Sequence, residues 1–185
     1  AIVVAMTDDG VQMIDISDPA NIVAKDAETD GSTFTELDGA RDVETFVIGS
    51  STYAIVVSWV DDGVQIIDIS DPTTIVAKDA ETDGANGFTN LAGANGVSVF
   101  TISGSTYAIV ASVSDSGVQI IDLSDPTDIV AKDAEDDFTG FPELSRASSV
   151  DTFTIGSSTY AIVVSGGATG DDGVQIIDIS DPANI

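Results

Sequence analysis

The sequence predicts an all-β fold: a β-propeller-type array of four-stranded antiparallel blades, three full repeats plus a partial fourth, with a β-solenoid as the alternative. Three observations predict it. The block Gly-Val-Gln-Ile-Ile-Asp-Ile-Ser-Asp-Pro occurs four times, from Gly10 (with Met13), Gly63, Gly117 (with Leu123) and Gly173, so the starts lie 53, 54 and 56 residues apart. A fixed period of that size marks repeated supersecondary units, none of which buries its apolar face alone. Val, Ile, Thr and Ser abound while Leu, Glu, Lys and Arg are scarce, a β composition. Finally, the segments before and inside the block are almost continuously apolar, where a sheet with one wet face would alternate. Such strands need cover on both faces, as when twisted sheets stack.

Each period contains four strand-like segments. Strand A is Ala40 to Ile48, matched by Ala94 to Ile102 and Ala147 to Ile155. A tight Gly-Ser turn follows at Gly49, Gly104 and Gly156. Strand B is Thr52-Tyr-Ala-Ile-Val-Val-Ser, and Ala1-Ile-Val-Val is its shortened first copy. Strand C is Gly63-Val-Gln-Ile-Ile-Asp-Ile, and the Ser70-Asp71-Pro72 turn leads to strand D, Thr74 to Ala80. A long connection rich in Gly, Thr and Asp returns to the next strand A. The chain thus reads as one array of units at about 1–39 (partial), 40–93, 94–146 and 147–185 (partial). Its ends fall inside a strand and inside a repeat, as expected of a piece of a longer protein. The rival solenoid would have shorter coils and strands pairing between repeats.

The block "GVQIIDISDP" following "STYAIVVS" resembles the LVIVD repeat over essentially the whole chain. The resemblance implies propeller blades and a large archaeal or bacterial cell-surface or secreted protein without an assigned activity. The period is longer here than is usual for that family, because the returning connection is longer.

The formal net charge is −27, from 26 Asp and six Glu against five bases. Such a surface repels phosphate backbones and anionic lipid heads, which argues against nucleic acid and membrane-surface partners. Cations, cationic proteins and neutral glycans remain compatible with it. Self-repulsion on this scale is relieved by salt, which screens charges beyond roughly 8 Å at physiological ionic strength. The expected setting is therefore extracellular or cell-surface, in saline surroundings. There is no Cys and no His, which removes disulfides, zinc sites and His- or Cys-based catalysis. No apolar run approaches the ~20 residues of a membrane helix, so no direct membrane insertion is expected.

Turns A–B and C–D barely vary between copies, whereas connections B–C and D–A vary a great deal. In a four-stranded meander these last two emerge on one face, which makes that face the candidate recognition surface. Its B–C loops hold the candidate ligand-binding residues Asp8, Asp9, Trp59, Asp61, Asp62, Asp115, Asp171 and Asp172. Trp59, the single Trp, would offer a sugar ring a stacking platform, or else fold over its own loop. The pairs Asp8/Asp9, Asp61/Asp62 and Asp171/Asp172 each precede a Gly, and Ca²⁺ is the one ion they would suit. Calcium, however, needs six to eight oxygens at ~2.3–2.6 Å, more than adjacent Asp supply. The competing reading is a turn in which Asp accepts backbone hydrogen bonds beside a Gly with positive φ. No cofactor is otherwise implied.

Asp15, Asp68, Asp122 and Asp178, at the ends of the C strands, are expected to cap the C–D turns together with Ser17, Ser70, Ser124 and Ser180. Lys25, Lys78 and Lys132 are expected to guard an outer strand edge. A carboxylate glycosidase would need two acids ~5–10 Å apart in unlike environments, and nothing singles out such a pair. The expected function is a non-enzymatic structural or adhesive module of a large extracellular or cell-surface repeat protein. Its expected partners are other copies of itself or neighbouring repeats, assembling head-to-tail into a filament or coat. The alternative is a glycan- or calcium-binding propeller that uses the variable loop face and binds surface glycans.

Overall fold

The computed structural model describes residues 1–166 and 173–185. They form four separate antiparallel sheets in chain order. Blade 1 contains β1 (Ile2–Ala5), β2 (Gly10–Asp15) and β3 (Val23–Thr29). Blade 2 contains β4 (Ala40–Ile48), β5 (Ser51–Ser58), β6 (Gly63–Asp68) and β7 (Val76–Thr82). Blade 3 repeats it with β8 (Ala94–Ile102), β9 (Ser105–Ser112), β10 (Gly117–Asp122) and β11 (Val130–Asp136). Blade 4 contains β12 (Ala147–Ile155), β13 (Ser158–Ser165) and β14 (Gly173–Asp178). Every described strand pairs with its sequence neighbour inside its own blade. That is the propeller arrangement and not the solenoid one, in which pairing would run between repeats.

The A strands β4, β8 and β12 lie against one another and form the narrow end of the array. Polar bonds join them: Val97 N–H donates to Asp42 Oδ2 at 3.1 Å, Val99 N–H donates to Glu44 Oε2 at 3.1 Å, and the Asn95 amide donates to Ser148 O at 2.6 Å. Between blades the core is apolar. Ile55, Val57, Val64 and Ile66 of blade 2 pack against Ala108, Val110, Ile121 and Leu123 of blade 3. Blades 3 and 4 meet through Ile109, Ala111, Val118 and Ile120 against Ala161, Val163 and Ile177. Ala54 to Val57 are all fully buried, so consecutive residues of strand B face different blades. Sheet stacking thus accounts for the unbroken apolar run, since period-two alternation distributes one strand between two cores.

Strand D begins at Val76, two residues later than its sequence suggests, because the Ser-Asp-Pro turn holds the chain longer. Ser70 N–H donates to Asp68 Oδ1 at 3.0 Å and Thr73 N–H donates to Asp71 Oδ1 at 2.9 Å. The first of these bonds recurs at Asp15, Asp122 and Asp178, which confirms the capping role expected of these four carboxylates. The bond from Ser17 N–H helps hold Asp15 down to about 2, with the Ser17 hydroxyl and Lys25 adding to it. A β-bulge sits in the outer strand: Ile66 pairs with Asp79 and Ile67 with Ala77, leaving Lys78 as the extra residue. Lys78 Nζ reaches Asp68 at 3.3 Å, and Lys25 and Lys132 reach Asp15 and Asp122 likewise. The acid that follows each Lys points the other way. Asp26, Asp79 and Asp133 accept the N–H of Ile75, Ile129 and Ile185, each from the following blade, at 2.7–2.8 Å. One Lys-Asp dipeptide therefore closes its own C–D turn and also fastens the next blade.

The glycine opening each C strand is required by close packing. Its φ is not positive; the positive φ falls on the residue before it, Asp9, Asp62 or Ser116. This corrects the expectation of a left-handed Gly in these loops. A Cβ on Gly117 would lie 2.6 Å from the Glu135 carbonyl oxygen, and Gly63 stands equally close to the Glu81 carbonyl. Gly117→Ala is therefore expected to force apart β10 and β11 and destabilise the fold by about 1–3 kcal/mol. Urea denaturation should show the loss, and an unchanged midpoint would contradict the close approach.

Candidate functional site

The B–C loops and the D–A connections meet on one face of the array, where acids of the former receive backbone donors of the latter. Asp61 Oδ2 accepts Asp38 N–H at 2.7 Å, and its counterpart Asp115 accepts Ala92 N–H at 2.7 Å. The second acid of each pair reaches onward. Asp9 accepts Gly39 N–H at 3.1 Å and Asp62 accepts Gly93 N–H at 2.7 Å, each from the connection that enters the next blade. In blade 3 the Ser116 hydroxyl accepts Arg146 N–H at 3.1 Å in the same way. Asp61 and Asp62 therefore serve successive connections and do not converge on one point. Asp8 is exposed. Asp171 and Asp172 lie outside the described residues. Among the described residues, no group of three or more acids is arranged to hold a metal ion.

Trp59 is half-buried at the same face. The Arg41 guanidinium lies over its ring, 4.9 Å from the ring centroid, a cation–π contact worth roughly 0.5–1 kcal/mol near solvent. Arg41 is the extra residue of the bulge in strand A, since Ala40 pairs with Ser58 and Asp42 with Val57. The bulge turns Arg41 out of the ladder toward Trp59.

The D–A connection contains a pattern that reading the repeats as a variable loop misses. Phe34-Thr-Glu-Leu-Asp-Gly-Ala40 corresponds to Phe88-Thr-Asn-Leu-Ala-Gly-Ala94 and Phe141-Pro-Glu-Leu-Ser-Arg-Ala147. Leu37, Leu91 and Leu144 are fully buried, as is Phe88, and these residues plug the seams between blades. Polar bonds hold each plug. The Gln65 and Gln119 side-chain carbonyls accept Thr35 and Thr89 N–H at 3.0 Å. The Ser58, Ser112 and Ser165 hydroxyls donate to the carbonyls of Glu36, Asn90 and Glu143. Only the outer part of each connection varies freely. Aligning the three copies from Phe to Ala would have exposed the signal.

At the third position of this pattern stands Glu36 in one copy and Asn90 in the next. The Asn90 amide donates to the Glu135 carbonyl at 3.0 Å and to the Val118 carbonyl at 3.4 Å. Glu36 Oε2 occupies the matching place against Gly63, buried and without a partner as a carboxylate. Burial first, then the charges of Asp61, Asp30, Glu81 and Asp62, push the Glu36 carboxyl up to about 8. Asp61 and Asp115 are also raised, by burial foremost and by surrounding acids. A raised acid near other carboxylates is a feature of catalytic sites. Here the repeat offers a simpler cause, because an amide fills the same position one blade on.

No curated protein matches the chain in sequence. Among solved structures, a protein from Lactobacillus plantarum superposes with a TM-score of 0.56 at 14% identity, over 97% of this chain and 56% of that one. An exo-β-1,3-galactanase from Clostridium thermocellum gives 0.57 at 13% identity, over 94% and 40%. That from Phanerochaete chrysosporium, crystallised with β-1,3-galactotriose as the E208A variant, gives 0.54 at 11%, over 92% and 39%. The chain therefore spans between about two fifths and just over half of these structures. At such identities they share its fold alone. The family model described as the LVIVD repeat matches residues 2–27, 47–80, 97–134 and 157–185, one segment per blade. With every matched segment spanning the B and C strands of its blade, the chain belongs to the LVIVD-repeat family.

Proposed function

We propose that this chain is a non-enzymatic structural or adhesive module of a large extracellular or cell-surface repeat protein, one that assembles head-to-tail into a filament or coat. The observation that carries this reading is the use made of the loop acids. Asp9, Asp61, Asp62 and Asp115 each accept a backbone N–H of a connection, so they are committed to fastening blades. Side chains spent on architecture suit a scaffold that offers shape. The charge of −27 fits a saline exterior, where repulsion between copies is screened. Electron microscopy and light scattering of the purified chain, from low to molar salt, test the reading. Ordered assemblies that grow with salt are expected, and particles that stay monomeric at every concentration and salt would sink it.

A second reading, glycan binding at the loop face, is favoured by Trp59. Its ring stays partly open beside Arg41, an arrangement that suits stacking on a sugar. Calcium would act on the same face only by recruiting the acids now bonded to backbone. Glycan arrays with the wild type and Trp59→Ala, together with calcium calorimetry, decide this alternative. It fails if no array signal is lost in the variant and calcium gives no heat.

A further inference from the structure

The connection between blades 3 and 4 departs from its two copies at its start. The three connections open on Asp30-Gly31, Asp83-Gly84 and Asp137-Phe138. Phe138, standing where the others have glycine, is 88% exposed. The position faces outward in the other copies as well: a Cβ on Gly84 meets nothing within 4 Å, and one on Gly31 meets only the Thr29 carbonyl at 4.0 Å. The exposure therefore belongs to the connection itself. Local bonds fix the turn that presents the ring. Phe138 N–H donates to Asp136 Oδ1 at 2.9 Å, Asp136 N–H donates to Thr139 Oγ1 at 3.0 Å, and the Thr139 hydroxyl donates to Asp136 O at 2.9 Å. A ring held this way loses little freedom when it is covered. The preceding acid departs too. Asp30 and Asp83 accept Leu37 N–H at 3.4 Å and Leu91 N–H at 3.1 Å. Leu144 N–H donates to the Phe141 carbonyl instead, and Asp137 Oδ1 is buried without a hydrogen-bond partner among the described residues. An aromatic ring left in water and an unpaired carboxylate oxygen add nothing to stability. Such breaches of local rules concentrate at functional sites.

We propose that Phe138 anchors a cationic amphipathic segment of a partner protein on the loop face, its ring enclosed by the partner's apolar side chains and its acidic surroundings paired with the partner's Lys or Arg. The charge around the ring names this occupant. Between Lys132 and Arg146 the chain carries Asp133, Glu135, Asp136, Asp137 and Glu143 and no base. A second copy of the chain, at −27, would be repelled from this place, and so would phosphate groups. A partner of opposite charge is steered toward it, and a buried aromatic then supplies the hold. The proposal is independent of head-to-tail assembly, and its failure leaves that reading untouched.

Titration calorimetry of the 185-residue chain with two synthetic peptides tests this. One is an amphipathic helix of Leu and Lys, and the other has the same length and charge with Ser in place of Leu. The Leu/Lys peptide should bind the wild type, and Phe138→Ala should weaken that binding by at least about tenfold, as the loss of an aromatic anchor does. Phe138→Trp should restore it. Rising salt should weaken it, because the charges attract through solvent. The Ser/Lys peptide should bind less tightly and be indifferent to residue 138. Melting curves of both variants should match the wild type, since Phe138 is exposed. Equal binding of the Leu/Lys peptide to the wild type and Phe138→Ala, equal affinity for the two peptides, or no binding of either overturns the proposal. A glycan array signal that Phe138→Ala abolishes, without peptide binding, gives the ring to sugar stacking and overturns it as well.

Discussion

Phe88→Ala is expected to destabilise the protein by about 3–5 kcal/mol, the range for emptying a large aromatic site in a core. Phe88 is fully buried at the seam between blades 2 and 3, with Leu91, Ile121, Leu123 and Ile129 in the same cluster. The Phe88 N–H and C=O close the turn of the connection, bonding Ala85 O at 2.8 Å and Gly84 N at 2.8 Å. Truncating it opens a cavity and loosens the plug that sets the second blade against the third. For a chain of this length the melting temperature should fall by roughly 2–4 °C per kcal/mol. Phe138→Ala is the control, since Phe138 is 88% exposed and its loss should be nearly silent. A Phe88→Ala variant within about 1 kcal/mol of wild type, measured by urea midpoint, would show that the connection does not hold the blades together.

Glu36→Gln should remove the largest part of the pH dependence of its seam. The carboxyl stands at about 8 in the folded chain against an ordinary value of 4.5, raised by burial first and then by Asp61, Asp30, Glu81 and Asp62. Below about 4.5 it is protonated folded and unfolded alike, so it costs nothing there. As pH rises from that value toward about 8, the unfolded chain releases the proton while the folded chain retains it, and stability declines. Above about 8 the decline is complete. Glutamine stays neutral throughout and carries an amide like that of Asn90, which bonds the Glu135 carbonyl. After allowance for solvent screening, the variant should be more stable than wild type by about 1–2 kcal/mol at high pH and indistinguishable near pH 4. Urea midpoints at the two ends of that range give the answer. Parallel pH dependences for the two proteins would show that Glu36 does not carry the effect.

The loop acids make this seam and the next responsive to salt. Asp61 and Asp115 are pushed up chiefly by burial and then by other carboxylates, against the pull of the backbone N–H each accepts. Added salt weakens the repulsion among them and leaves the short hydrogen bonds in place. Unfolding midpoints should therefore rise with salt in the wild type, and the rise should continue in Glu36→Gln because Asp61 remains.

Much of this molecule was legible before any coordinates. The A strands run over the same residues in the sequence reading and in the folded chain, because Gly49, Gly104 and Gly156 punctuate them sharply and each has a positive φ. The carboxylates of Asp15, Asp68, Asp122 and Asp178 were recognisable as caps because their partner Ser lies two residues away, a local relation. The loop face was legible only in outline. Asp61 and Asp62 look alike in sequence, yet one serves the connection before its blade and the other the connection after it. That division depends on which loops the stacked sheets bring together.

What the sequence determined by itself is the unit: four strands, two nearly constant turns and an apolar B–C core, all written in local periodicity and turn chemistry. What only the tertiary structure decided is how units hold one another. The Phe-x-x-Leu plugs and the forward reach of Asp26, Asp79 and Asp133 arise between residues about 30 to 50 positions apart. Contacts at that separation leave no local pattern, because burial and partner choice follow from stacking, which a single repeat does not contain.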